Sequence, residues 1–140
     1  MRLILDASTA LAAVLPDEDS TFARAAVAAA ISDGLVVPTL WLYEIQNGLA
    51  TALRRNRIDS ASAHEALEAI RGLAPDIEPP QGLGRELRLA QTHALTAYDA
   101  AYLAVAVNTG AILASNDDQL RRAAESVGVA LFEPSTGLQP

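Results

Sequence analysis

The chain has 140 residues, 51% of them hydrophobic, and a formal net charge of −7. That is long and apolar enough to bury a sizeable core, so residues 1–133 read as one folded domain and disorder is excluded. The absence of cysteine excludes disulfides, thiolate metal sites, iron–sulfur clusters and cysteine nucleophiles.

Residues 2–5 (RLIL) predict a short buried strand, and Ser8 to Leu15 a short helix closed by Pro16. Strong helix formers over 18–31 predict a helix capped by Asp17. Residues 35–37 (LVV) predict a second strand, ended by Pro38. Thr39 then caps a helix over about 40–55, with Trp41, Ile45, Leu49 and Leu53 at helical spacing. Asp59 or Ser60 opens a helix through about Gly72. Residues 76–78 (DIE), bracketed by prolines, predict a short edge strand. A helix over roughly 82–93 follows, and Thr96 caps an apolar, buried helix from about 97 to 107. AILA at 111–114 reads as a strand, Asp117 to Val127 as a helix and VALF at 129–132 as the last strand. The tail over 134–140 is expected to fray. Short apolar strands alternating with helices imply an α/β fold, a short central parallel sheet with helices on both faces. The N-terminal apolar run meets an acid too early for a signal peptide, and no charge-free run reads as a membrane span. A cytoplasmic location is the default expectation.

Three acids stand alone in this pattern. Asp6 is the only charge between Arg2 and Asp17, and Glu44 the only one between Asp33 and Arg54. Asp99 is the only one between Arg88 and Asp117 when His93 is neutral. An ionised carboxylate in apolar surroundings is costly unless a positive charge meets it. The chain has no lysine, and no arginine lies near any of the three in sequence. A shared bound cation satisfies all three at once. In open parallel sheets, sites form beyond the carboxyl ends of strands. Asp6 and Asp117 follow strands directly, while Glu44 and Asp99 fall in the first turns of helices. The candidate site is therefore Asp6, Glu44, Asp99 and Asp117.

Oxygen-only ligands suit Mg²⁺ or Mn²⁺ rather than zinc or copper. A divalent ion in an acidic cup polarises a phosphoryl oxygen, lowers the pKa of bound water and neutralises the leaving oxygen. The reaction class is phosphodiester hydrolysis by in-line attack of metal-activated water. The acidic net charge argues against a nucleic-acid substrate only on average. Bound cations offset it locally, and the arginines are grouped: Arg54, Arg55 and Arg57, then Arg85 and Arg88, then Arg121 and Arg122. The first group closes a helix, where cations suit the carbonyl end, and is equally a candidate for RNA phosphate contact. Trp41, Tyr98 and Tyr102 read as core or interface, and Asn47, one turn after Glu44, as a hydrogen-bond partner for it or a packed polar group.

The runs LILDAST, PTLWLYEIQNGL, LTAYDAAYLAVA and ILASNDDQLRRAA resemble the four motifs of PIN-domain nucleases, above all the VapC-type toxins of bacterial toxin–antitoxin pairs. The resemblance covers nearly the whole chain. It implies a small α/β domain, usually a homodimer, with Mg²⁺- or Mn²⁺-dependent endoribonuclease activity on a tRNA or rRNA. It also implies neutralisation by a cognate antitoxin. By motif position the metal-binding acids map onto Asp6, Glu44, Asp99 and Asp117. Ser8 matches a hydroxyl residue that often helps order the site, and Ser115 stands where the family often has threonine. Asp118, adjacent to the fourth acid, reads as a solvated helix-start residue.

Other classes fare worse. A phosphoaspartate receiver needs a lysine near its acid, and the chain has none. A haloacid-dehalogenase-type phosphatase needs a second acid two residues after the first, where Ser8 stands. Two readings stay open beside the toxin: a PIN nuclease in RNA processing or on DNA, and an inactive PIN-like binding or dimerisation module.

Overall fold

Apolar triplets build the sheet. A computed structural model describes residues 1–134. Strand β1 is Leu3–Leu5, followed by helices α1 (Ala7–Val14) and α2 (Thr21–Asp33), then β2 (Val36–Pro38). Helices α3 (Leu40–Arg54) and α4 (Ser60–Arg71) lead to β3 (Asp76–Glu78). Helices α5 (Arg85–His93) and α6 (Ala97–Thr109) lead to β4 (Ile112–Ala114) and α7 (Asp118–Ser126). Strand β1 pairs in parallel with β4, Ile4 opposite Leu113, and β2 pairs in parallel with β3, Val37 opposite Ile77. A parallel Leu3–Leu35 bridge joins the two pairs, giving the order β3-β2-β1-β4. The chain starts in the middle and winds outward both ways, so a topological switch point lies between β1 and β4.

Strands β1 and β2 are buried because helices cover both faces, whereas the edge strand β3 is largely exposed. Leu3, Ile4, Leu5, Val36, Val37 and Leu113 have almost no solvent contact. They join Trp41 and Ile45 of α3 and Leu103 of α6 in one core. Each such side chain contributes about 1.5–3 kcal/mol when removed from water. Gly48 lets α3 approach α1: a Cβ there would stand 2.3 Å from Leu11 Cδ1. Among the described residues, no helix is long and apolar enough to cross a membrane.

Three sequence expectations need correction. The run at 129–132 is not a strand but a single parallel bridge, Leu113–Leu131, with Phe132 N–H donating to Leu113 at 2.8 Å. Helix α2 begins at Thr21, not 18, because Ser20 Oγ accepts from Ala23 N–H at 3.0 Å. Asp17 instead pairs with Arg57 at 2.8 Å, which holds its carboxyl below the ordinary range. Helix α5 starts at Arg85 rather than 82, because Gly84 takes a φ of 116° that no helix accommodates. The remaining helices and strands fall within two residues of expectation, except that Thr39 makes no side-chain cap. The expected frayed tail lies, beyond residue 134, outside the described residues.

Candidate active site

Asp6 and Asp117 are fixed by the backbone. Asp6 follows β1 and is the N-cap of α1: its Oδ1 accepts from Thr9 N–H at 2.9 Å and from Ser8 Oγ at 3.2 Å. Its Oδ2 accepts from Ser115 Oγ at 2.5 Å, and Ser115 is fully buried just past β4. Ser115 Oγ in turn accepts from Asp117 N–H at 3.0 Å. Asp117 is the N-cap of α7, its Oδ1 accepting from Leu120 N–H at 3.0 Å. An N-cap carboxylate satisfies orphan helix donors and sits at the positive end of the helix dipole. Thus Ser115 ties together the two acids beyond the carboxyl ends of β1 and β4, at the switch point.

Glu44 and Asp99 come from helices. Glu44 lies in α3 and accepts a 2.5 Å hydrogen bond at Oε1 from the Tyr102 hydroxyl. Asp99 lies in the first turn of α6, whose N-cap Thr96 accepts from Asp99 N–H at 3.1 Å. Both carboxyls are held above their ordinary range, first by burial. Glu44 is further raised by Asp99 and Asp6 and lowered by Tyr102. Asp99 is further raised by Asp117 and Asp6 and lowered by Thr96. Carboxylates thus neighbour both groups, and among the described residues neither Glu44 nor Asp99 forms an ion pair. Among the described residues, no three acidic or histidine side chains already close around a point as a finished metal shell. The donor set is nonetheless that of a hard divalent cation: carboxylates from four elements, with Glu44 Oε2 and Asp117 Oδ2 lacking a hydrogen-bond partner among the described residues.

Tyr102 is the residue that sequence reasoning missed. It reads as core and is 2% exposed, yet its hydroxyl reaches the site. Burial and Glu44 raise its pKa strongly, so it stays a neutral donor. The signal was its position one turn after Asp99, on the same face of α6. Trp41 is core as expected, whereas Tyr98 is 68% exposed. Asn47 is exposed and makes no bond to Glu44. Arg57 is occupied by Asp17, and Arg54 and Arg55 end α3, about 15 Å along its axis from Glu44. Asp118 is exposed on the first turn of α7.

Comparison with known proteins agrees with this geometry. The PIN domain family model matches residues 3–126. Ribonuclease VapC9 of Mycobacterium tuberculosis is 36% identical over 118 residues, covering 84% of this chain and 87% of that protein. The crystal structure of PAE2754 from Pyrobaculum aerophilum superposes with a TM-score of 0.68 at 26% identity, covering 88% of this chain and 79% of that one. The fold also matches FitAcB from Neisseria gonorrhoeae, with a TM-score of 0.66 at 23% identity over 94% of this chain and 97% of that one. The chain belongs to the PIN-domain family, beside the VapC ribonucleases.

Proposed function

We propose that this protein is the toxin of a type II toxin–antitoxin pair, an endoribonuclease that hydrolyses RNA phosphodiester bonds with the help of Mg²⁺ or Mn²⁺. The observation that carries this reading is that Ser115 joins Asp6 and Asp117 beyond the carboxyl ends of β1 and β4, while Glu44 and Asp99 have carboxylate neighbours and, among the described residues, no ion pair. Asp6, Glu44, Asp99 and Asp117 are the residues that would hold the ion. When bound, a divalent ion there supplies Lewis-acid stabilisation of phosphoryl charge and a lowered pKa for water. The chain's own residues prepare the cup. Ser115 and the N-terminus of α1 keep Asp6 oriented, and Ser115 also holds the Asp117 backbone. Tyr102 holds one oxygen of Glu44 and leaves the other open. Burial and neighbouring carboxylates hold the Glu44 and Asp99 carboxyls above their ordinary range, so an arriving positive charge favours their ionised forms.

The relatives' name as ribonucleases supports RNA as substrate. A toxin needs restraint, and an acid cup attracts a basic side chain, so the partner antitoxin is expected to place one there. A second copy of the chain is the expected partner elsewhere. A 410 Å³ groove between α3, α5 and α6 carries exposed Tyr43, Leu83 and Tyr98, an apolar surface of the kind that pairing covers. The test is incubation of total bacterial RNA with purified protein in Mn²⁺ or Mg²⁺, in EDTA, and with Asp99→Asn. Discrete fragments lost with EDTA and with the variant support the reading. Folded, antitoxin-free protein that cuts nothing shifts weight to a binding module.

A further inference from the structure

An acidic protein that cuts RNA needs local cations to hold the strand. Most arginines here are already engaged. Arg2, Arg24, Arg57, Arg71 and Arg121 pair with Asp76, Asp19, Asp17, Glu68 and Glu133. Arg85 donates to Gln81 and Asn108. Among the described residues Arg54, Arg55, Arg88 and Arg122 form no ion pair. Arg54 and Arg55 lie at the far end of α3 from the acids.

Arg122 is placed differently. It stands on α7, the helix that Asp117 caps, about 7.5 Å along the axis from that acid. It lines a 280 Å³ surface notch with His93, Ala94, Gln119, Ala123 and Ser126. His93 and Ala94 belong to the corner from α5 into α6, two residues before the Thr96 cap of the helix carrying Asp99. The notch thus lies between α7, which Asp117 caps, and the end of α5 that leads into the helix carrying Asp99. Its polar lining offers donors: the Arg122 guanidinium, an imidazole and the Gln119 amide. Ser126 Oγ is committed to the Arg122 carbonyl at 3.0 Å. The neighbouring Arg121 is not available, since it bonds the Ser115 carbonyl and Glu133. Of the two, Arg122 is the one with no ion pair among the described residues.

We propose that the notch formed by His93, Gln119 and Arg122 is a phosphate subsite that grips the RNA backbone next to the scissile position. This rests on the ribonuclease reading and assigns its strand a path across the α5–α6 corner. The grip is by phosphate and carries no base preference. It also keeps the strand close to four like-charged carboxylates that would otherwise repel it.

The test is fluorescence anisotropy of a labelled single-stranded oligoribonucleotide in EDTA, as a function of salt, beside cleavage of the same RNA in Mn²⁺. Arg122→Ala is expected to weaken binding about fivefold and to reduce the slope of log K against log salt by about 0.7. Arg122→Lys keeps the slope, and His93→Ala loses affinity in the same direction. Arg24→Ala, which removes an equal charge from α2, a helix that carries none of the four acids, leaves binding near that of the unaltered chain. Arg122 is exposed, so its variants keep their melting temperature. Binding by Arg122→Ala that stays within about twofold, with an unchanged slope, overturns the subsite. So does an equal loss in Arg24→Ala, which marks a generic charge effect. If the unaltered chain neither binds nor cuts RNA, the ribonuclease reading fails and the subsite falls with it. If it cuts RNA while Arg122→Ala binds normally, the subsite alone fails.

Discussion

Tyr102→Phe isolates one hydrogen bond. The substitution keeps the buried ring and removes only the hydroxyl that donates to Glu44 Oε1 at 2.5 Å. A hydrogen bond to a charged group contributes about 1.5–3 kcal/mol, and water around the half-buried Glu44 favours the lower end, about 1.5. That is close to one pK unit, or about tenfold in a binding constant. The hydroxyl lowers the Glu44 pKa against burial, so its loss raises that pKa further. Metal binding needs the ionised carboxylate. Mn²⁺ affinity should therefore fall about tenfold, and its rise with pH should move to higher pH. The assay is Mn²⁺ titration by electron paramagnetic resonance across pH, paired with thermal melts of the metal-free variant. Melting should drop little, because the ring stays packed. Unchanged Mn²⁺ affinity and pH dependence, with melting lowered, would refute the reasoning and leave Tyr102 a packing residue.

Added Mn²⁺ at about a hundred times its dissociation constant should stabilise the fold by about 2.7 kcal/mol, and Asp6→Ala should abolish that gain; differential scanning calorimetry reads both. Without metal, Glu44 and Asp99 have folded pKa values above ordinary ones, so their ionisation destabilises the fold as pH rises. Lowering pH from neutral into the range just above ordinary carboxylate pKa values should therefore raise the metal-free melting temperature, and saturating Mn²⁺ should flatten that dependence. Ala94 ends α5 in a left-handed conformation, φ 56°, where a Cβ is strained. Ala94→Gly should stabilise by about 0.5–1 kcal/mol in urea melts, and a loss would show the corner is not strained. Gly48→Ala should destabilise by about 1–2 kcal/mol, since the new Cβ meets buried Leu11, and Leu11→Ala in the same chain should relieve the clash.

The arrangement of elements was legible because apolar runs and caps act locally. Leu3–Leu5 has no charge to expose, and Thr96 sits where α6 needs an acceptor for the Asp99 amide. Helix α2 shows where local reading stops. Asp17 and Ser20 are both good caps, and the choice fell to Arg57, forty residues on, which claims Asp17. The run at 129–132 has strand composition, but it makes only one bridge, to Leu113 of β4. The acids were visible as isolated charges. Ser8 and Ser115 were legible as supports only through the family resemblance, and Tyr102 was read as core because its bond to Glu44 joins residues 58 positions apart.

These supports explain how four carboxylates coexist with, among the described residues, no ion pair to Glu44 or Asp99. Asp6 and Asp117 double as helix caps, so each is stabilised by backbone donors that the helix must satisfy anyway. Their positions cost little, and they anchor the site at the sheet edge. Glu44 and Asp99 have weaker support: one phenol, one threonine, and burial that opposes their charge. The cup thus divides into a fixed pair and a responsive pair. Replacing Asp6 should damage both the cap of α1 and metal binding, whereas Asp99→Asn should remove repulsion, stabilise the metal-free fold and abolish cleavage. Opposite signs on stability and activity at Asp99, in one melt and one cleavage assay, would separate a functional carboxylate from a structural one. A stability loss there would mean that Asp99 holds the fold together, and the division would fail.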